Sequence, residues 1–142
     1  MKLLILNGPN LNLIEKRDSS SYGLLSLNII SQKLMDEFPE IEFTFVQSNS
    51  ETELINRIQD AYRYDGVIIN PGGYTHSSIG LRDAFETLKI PIIEVHLSNL
   101  ASREDFRNIL ITTSKATGYI SGLKEISYSA AVYSILRMID IQ

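Results

Sequence analysis

Residues 66–76 read Gly66-Val67-Ile68-Ile69-Asn70-Pro71-Gly72-Gly73-Tyr74-Thr75-His76, a short β-rich apolar run that ends in an asparagine and a glycine-rich turn. A helical pattern over residues 78–88 follows. The same alternation recurs along the chain. Apolar β-rich runs cover residues 3–7, 41–47, 66–70, 91–96 and 118–122. Helical patterns cover residues 27–38, 51–62, 78–88, 103 to about 108, and 125–140. In the first helix Leu27, Ile30, Leu34 and Phe38 share one face, behind Ser26 as N-cap. In the second, Leu54, Ile55 and Ile58 point inward behind Ser50. Strands alternating with helices predict a parallel sheet covered by helices on both faces.

Five strands in this pattern predict an α/β, flavodoxin-like three-layer sandwich with sheet order 2-1-3-4-5. The length of 142 residues suits one domain, residues 1–142, with no internal repeat or linker. With 44% apolar and 21% charged residues the chain can bury an ordinary core. A net charge of -4 argues against a nucleic-acid or membrane-surface binder, which needs excess Lys and Arg, and favours a small-molecule partner. The absence of cysteine removes disulfides, thiolate metal sites and cysteine nucleophiles. Zinc is disfavoured too, because His76 and His96 are the only imidazoles and lack a paired ligand spacing. The apolar start, Met1 to Leu6, is too short for a signal peptide, and no run reaches transmembrane length. A cytoplasmic protein is expected.

In a sheet of this order a ligand sits beyond the carboxyl ends of the strands, near the switch point between the first and third. Useful polar residues should therefore cluster there. They do: Asn7 and Asn10, then Asn70, Thr75 and His76, then Glu94, His96 and Ser98. Asn7-Gly8-Pro9-Asn10 alone reads equally as a plain turn. The polar stretch over residues 15–21 is longer than a typical strand-to-helix loop and reads as a mobile lid.

Three segments carry a family resemblance. Asn7-Gly8-Pro9-Asn10-Leu11-Asn12-Leu13, followed by Arg17 and Tyr22-Gly23, resembles the opening signature of the type II 3-dehydroquinate dehydratases. Residues 69–78 with Leu81-Arg82-Asp83-Ala84 resemble that family's central motif. Ile93-Glu94-Val95-His96-Leu97-Ser98-Asn99 with Arg103-Glu104 and Phe106-Arg107 resembles its strand-four motif, and Ala116-Thr117-Gly118 and Gly122 fit its last strand. The motifs stand in family order and spacing across essentially the whole chain.

The resemblance implies a cofactor-free hydro-lyase of the shikimate pathway, serving aromatic amino acid biosynthesis. It would convert 3-dehydroquinate to 3-dehydroshikimate by anti elimination through an enolate. Such a dehydration needs a base beside the carbonyl, a holder for the enolate and an acid for the departing hydroxyl. By resemblance Tyr22 is the base. A free phenol has a pKa of about 10, and each tenfold gain in acidity takes about 1.4 kcal/mol of preferential stabilisation. Arg17 and Arg103 are the candidate cations, since a guanidinium keeps its charge when buried. His96 is the implied acid, and Glu94 lies on the same face of the same strand, where a carboxylate favours the imidazolium and sets its tautomer. His96 can also be read as a core histidine at a strand end.

The resemblance further implies that Asn10 orients a water against the enolate oxygen and that Asn70, His76 and Arg107 bind ring hydroxyls. Leu97 and Ser98 would offer backbone amides and a hydroxyl to the substrate carboxylate. His76 alternatively reads as a helix-start residue and Arg107 as a surface charge. Asp83 would reach a neighbouring subunit's site, implying a trimer-based assembly, by family habit a homododecamer; otherwise it is a helix-face carboxylate. Two departures stand out. Glu15 and Asp18-Ser19 replace a glycine and an acidic-Pro pair in the lid, and Asn108-Ile109-Leu110 replaces a His- and Ser-containing stretch. A phosphate-accepting receiver would want aspartates where asparagines stand, and residues 7–13 make a poor flavin-phosphate loop. An inactive family member or a flavodoxin-like small-molecule binding module are the alternatives left open.

Overall fold

The computed structural model describes residues 1–17 and 26–141, so Tyr22 and most of the predicted lid lie outside the described residues. Strands β1 (Lys2–Asn7), β2 (Glu42–Gln47), β3 (Gly66–Asn70), β4 (Ile92–His96) and β5 (Gly118–Ser121) form a five-stranded sheet in the order β2-β1-β3-β4-β5. Every pairing is parallel. The order is the flavodoxin-like one that the alternating pattern predicts. Helices α1 (Leu27–Glu37), α2 (Glu51–Gln59), α3 (Ile79–Phe85) and α4 (Ile126–Ile141) cover it.

Side-chain alternation divides the core. Leu3 and Ile5 of β1 join Ile68, Ile93 and Val95 under α1 and α4, where Ile30, Leu34, Tyr128 and Val132 complete the layer. Leu4 and Leu6 join Val67, Ile69 and Ile92 under α2 and α3, with Leu54, Ile58, Leu81 and Phe85. Central strands buried on both faces read as unbroken apolar runs, which is why β1 and β3 stand out in the sequence. Each such Leu or Ile contributes roughly 1.5–3 kcal/mol by leaving water.

The expected caps form: the hydroxyl of Ser26 accepts from the Ile29 amide at 3.3 Å, and that of Ser50 from the Glu53 amide at 3.2 Å. Several helices are shorter than predicted. At residues 51–62 the helix stops at Gln59, where the Asp60 amide turns to the carbonyls of Asn56 and Ile58, and a 3-10 turn, Ala61–Arg63, follows. At residues 78–88, Ser78 is the cap rather than the first turn, and the Thr87 hydroxyl donates to the Ala84 carbonyl at 2.7 Å, ending the helix near Phe85. No α-helix forms over residues 103–108. Two 3-10 turns, Leu100–Ser102 and Asp105–Asn108, stand there instead, separated by extended backbone at Arg103. The side chains of Asn99 and Ser102 bond locally to backbone and compete with helix propagation.

Two turns meet at the carboxyl edge of the sheet. Asn7 and Asn70 are in register across β1 and β3, and the Gly8 amide donates to the Asn70 carbonyl at 2.7 Å. A side chain at Gly8 would put its Cβ 2.5 Å from the Pro71 carbonyl oxygen, and Gly72 takes a positive φ of 61° beside Pro9. These glycines allow the chains leaving β1 and β3 to lie against each other. Among the described residues, no helix is long and apolar enough to cross a membrane. Gly8→Ala is expected to cost about 1–3 kcal/mol, because backbone rather than a flexible side chain must yield. Urea unfolding of the variant checks this, and an unchanged midpoint would contradict the close approach.

Candidate active site

A cleft opens over the carboxyl ends of β1, β3 and β4. Asn10 and Arg17 line it from the segment after β1, Asn70 and His76 from the end of β3 and its turn, and His96, Leu97 and Ser98 from the end of β4. Arg103 and Arg107 close it from the following segment. Nine of the twelve residues singled out in the sequence thus share one cleft. Of the other three, Glu94 stands behind His96, Asp83 lies elsewhere, and Tyr22 is outside the described residues.

Asn10 sits in the left-handed region at φ 70°, which asparagine tolerates better than most residues. Its amide donates to the Asn49 side chain at 3.0 Å, while Gln47 donates to Asn49 and to the Gly8 carbonyl. The end of β2 therefore sets this turn, a contribution the sequence did not suggest. The following 3-10 helix, Leu11–Lys16, buries Leu11 and Ile14 in the core and leads to Arg17 at the cleft. Residues 15 and 16 of the predicted lid thus form the end of this 3-10 helix, and the Arg17 amide donates to the Ile14 carbonyl.

Asn70 is buried and accepts the Gly72 amide at 3.0 Å through its side-chain oxygen. Below it the fully buried Tyr128 donates its hydroxyl to Asn7 at 2.5 Å. Burial pushes this phenol far above its ordinary range, against an opposing hydrogen bond from Asn70. Tyr128 is therefore a neutral structural donor and no candidate base.

The strand alternation puts Glu94 and His96 on the same face, with a Glu94 Oε2 to His96 Nε2 distance of 3.6 Å. Glu94 is fully buried. Burial pushes its carboxyl up, but the hydrogen bond and charge of His96 and the hydroxyls of Thr112 and Thr113 outweigh this, and the net direction is down. Thr75 donates to the same carboxylate at 3.1 Å. Thr112 and Thr113 are contributions missed in the sequence. The only available signal was a carboxylate in an apolar strand, which must find donors from somewhere.

His76 is set differently. Its Nδ1 lies 2.7 Å from the Ile109 carbonyl oxygen, which can only accept, so Nδ1 carries the proton. Its Nε2 is buried and has no hydrogen-bond partner among the described residues. Burial is the main cause that pushes His76 below 6.5, the Ile109 bond opposes it, and the charge of Arg107 adds to the lowering. His76, a lining residue of the cleft, is thus held as a neutral ring with Nε2 as its acceptor atom.

Arg103 donates to the Ser98 hydroxyl at 3.2 Å, and Arg107 pairs with Glu104 at 2.7 Å. Three guanidinium groups around two imidazoles make a seat for an anion with polar substituents. Asp83 lies on α3, exposed and bonded to Arg82 at 2.8 Å, and does not line this cleft. Among the described residues, no three His, Asp or Glu side chains gather in a way that would hold a metal ion.

Comparison with known proteins identifies the family. The family model described as Dehydroquinase class II matches residues 1–136. A protein of Fusobacterium nucleatum named 3-dehydroquinate dehydratase is 43% identical, the match covering 96% of this chain and 97% of that one. One of the same name from an Exiguobacterium species is 44% identical, with 96% and 94% covered. The crystal structure of type II dehydroquinase from Butyrivibrio crossotus superposes with a TM-score of 0.91 at 38% identity, covering 95% of this chain and 97% of the other. Sequence pattern, strand order and near-complete coverage agree, and the chain belongs to the class II dehydroquinase family.

Proposed function

We propose that the cleft dehydrates 3-dehydroquinate to 3-dehydroshikimate and water, a hydro-lyase step of the shikimate pathway. One observation supports this most: three arginines converge on a cleft in which one of the two imidazoles, that of His96, is backed by a buried carboxylate. Residues 1–142 would act as one catalytic domain in the cytoplasm.

In this reading Tyr22, as phenolate, takes the proton beside the carbonyl, and its C–H electron pair forms the enolate. Arg17 and Arg103 favour the phenolate, and Asn10 orients a water on the enolate oxygen. The enolate then collapses, the C–O bond of the hydroxyl breaks, and His96 donates the proton that completes the departing water. Glu94 holds His96 through this transfer. Leu97 and Ser98 receive the substrate carboxylate, while Asn70, His76 and Arg107 take its hydroxyls. An acceptor Nε2 on His76 suits a donating hydroxyl, and the lowered affinity of that ring for protons keeps it an acceptor at neutral pH. Asp83, exposed on α3, would enter a neighbouring subunit's cleft in a trimer-based assembly, with a dodecamer as the full form.

Adding 3-dehydroquinate to the purified protein and following the ultraviolet absorbance of the enone product tests the reaction directly. Tyr22→Phe and Arg17→Ala should each lower kcat by about 10²–10⁴-fold while the fold is kept; a Tyr22→Phe variant with normal turnover would overturn the mechanism. Native mass determination should return a multiple of three subunits, and a strictly monomeric active enzyme would refute shared clefts. His76 also has a thermodynamic signature. Its folded-state pKa lies below the ordinary value, so its contribution to stability is complete above about pH 6.5 and is lost as pH falls through the lowered value. His76→Gln should therefore lose less Tm than the parent between pH 7 and pH 5, and parallel Tm profiles would count against a proton-averse ring.

A further inference from the structure

Glu94 is fully buried, and the groups satisfying it come from two distant places in the chain. Thr75, in the turn after β3, donates to Oε1 at 3.1 Å. Thr112 donates to Oε1 and Thr113 to Oε2, both from the segment leading into β5. Thr75 and Thr112 are themselves fully buried. The two segments are clamped together, since the amides of Ile111 and Thr112 donate to the Thr75 carbonyl at 2.8 and 3.3 Å.

We propose that Thr75, Thr112 and Thr113 are positioning residues that hold Glu94 as a carboxylate and thereby make Nδ1 the proton-donating atom of His96. The inference rests on the elimination proposed above and adds the residues that orient its acid. A threonine hydroxyl has one proton. When Thr75 gives that proton to Glu94, its oxygen can only accept, and it lies 3.4 Å from His96 Nε2. Glu94 Oε2 lies 3.6 Å from the same nitrogen. An ionised Glu94, with its other bonds filled by hydroxyl donors, also only accepts. Both neighbours of Nε2 are thus acceptors, and Nε2 keeps its hydrogen. Nδ1 is the nitrogen left to give a proton to the cleft.

The same segment sets the other imidazole oppositely, because the Ile109 carbonyl claims the Nδ1 hydrogen of His76. Residues 109–113 therefore assign a donor role to one histidine and an acceptor role to the other. At Ile109 the work is done by a backbone carbonyl, and the Ile109 side chain is exposed, so the unusual Asn108-Ile109-Leu110 stretch leaves this device intact.

The chain has only two histidines, so long-range nitrogen-15 to proton NMR resolves both rings in the free protein at pH 8 to 9. The expected spectrum has one Nε2–H tautomer, His96, and one Nδ1–H tautomer, His76, assigned with His76→Gln. In Thr112→Val, Thr113→Val and the double variant, His96 should become a tautomer mixture while His76 keeps its form. Without the hydroxyls kcat for 3-dehydroquinate should fall about tenfold or more, with KM within about twofold, because part of the contribution of a positioned general acid is lost when its proton sits on the wrong nitrogen. Thr112→Ser and Thr113→Ser should restore both readouts. If the double variant does not fold, the single variants and the serine pair carry the same comparison. An Nδ1–H tautomer for His96 in the parent protein, or an unaltered His96 in folded valine variants, overturns the proposal. The tautomers are read without substrate, so a parent protein inert toward 3-dehydroquinate would overturn the proposed reaction and leave the positioning judged by NMR alone.

Discussion

The Gly8 amide meets the Asn70 carbonyl at 2.7 Å, and this contact continues the β1 to β3 pairing past the point where the strands end. It holds the chain that carries Asn10 and Arg17 against the chain that carries Asn70 and His76. Neither turn can shift alone, because each is anchored in a strand buried on both faces. Asn49 and Gln47, at the end of β2, pin the first turn from the other side. The cleft is thus preset by the core, in keeping with a site assembled at a topological switch point.

The second constraint is the carboxylate in the wall. Removing one charge from water costs several kcal/mol even after relaxation. Hydrogen bonds to a charged group return roughly 1.5–3 kcal/mol each. The imidazole of His96 and the hydroxyls of Thr112 and Thr113 outweigh the desolvation of Glu94, and the net direction of its pKa is down. An apolar residue at position 94 would pack at less cost but would leave His96 without a charged partner.

Placement also separates net charge from local charge. The chain carries a formal charge of -4, yet its cleft is lined by Arg17, Arg103 and Arg107. Overall acidity therefore argues only about large polyanionic partners, and a small anion meets the local field. Tyrosines illustrate the same point: desolvation makes Tyr128 a poorer acid than a free phenol.

Local patterns in the sequence were sufficient for the strand order, the caps at Ser26 and Ser50, and the grouping of Asn10, Asn70, His76 and His96 at one edge. Strand periodicity, turn residues and the switch-point rule act over short stretches, so they survive in one dimension. The same information overextended the helix at residues 51–62, where the chain passes into a 3-10 turn after Asp60, overextended that at residues 78–88 and predicted one over residues 103–108. In the last two cases side-chain bonds from Thr87, Asn99 and Ser102 to nearby carbonyls and amides won over propensity. Thr112, Thr113 and the Ile109 carbonyl were invisible for another reason. Their roles exist only relative to Glu94 and His76, 18, 19 and 33 positions away. The sequence by itself determined which groups could ionise, donate or accept; the tertiary structure decided which of them met, because hydrogen bonds and desolvation depend on distances that folding alone creates.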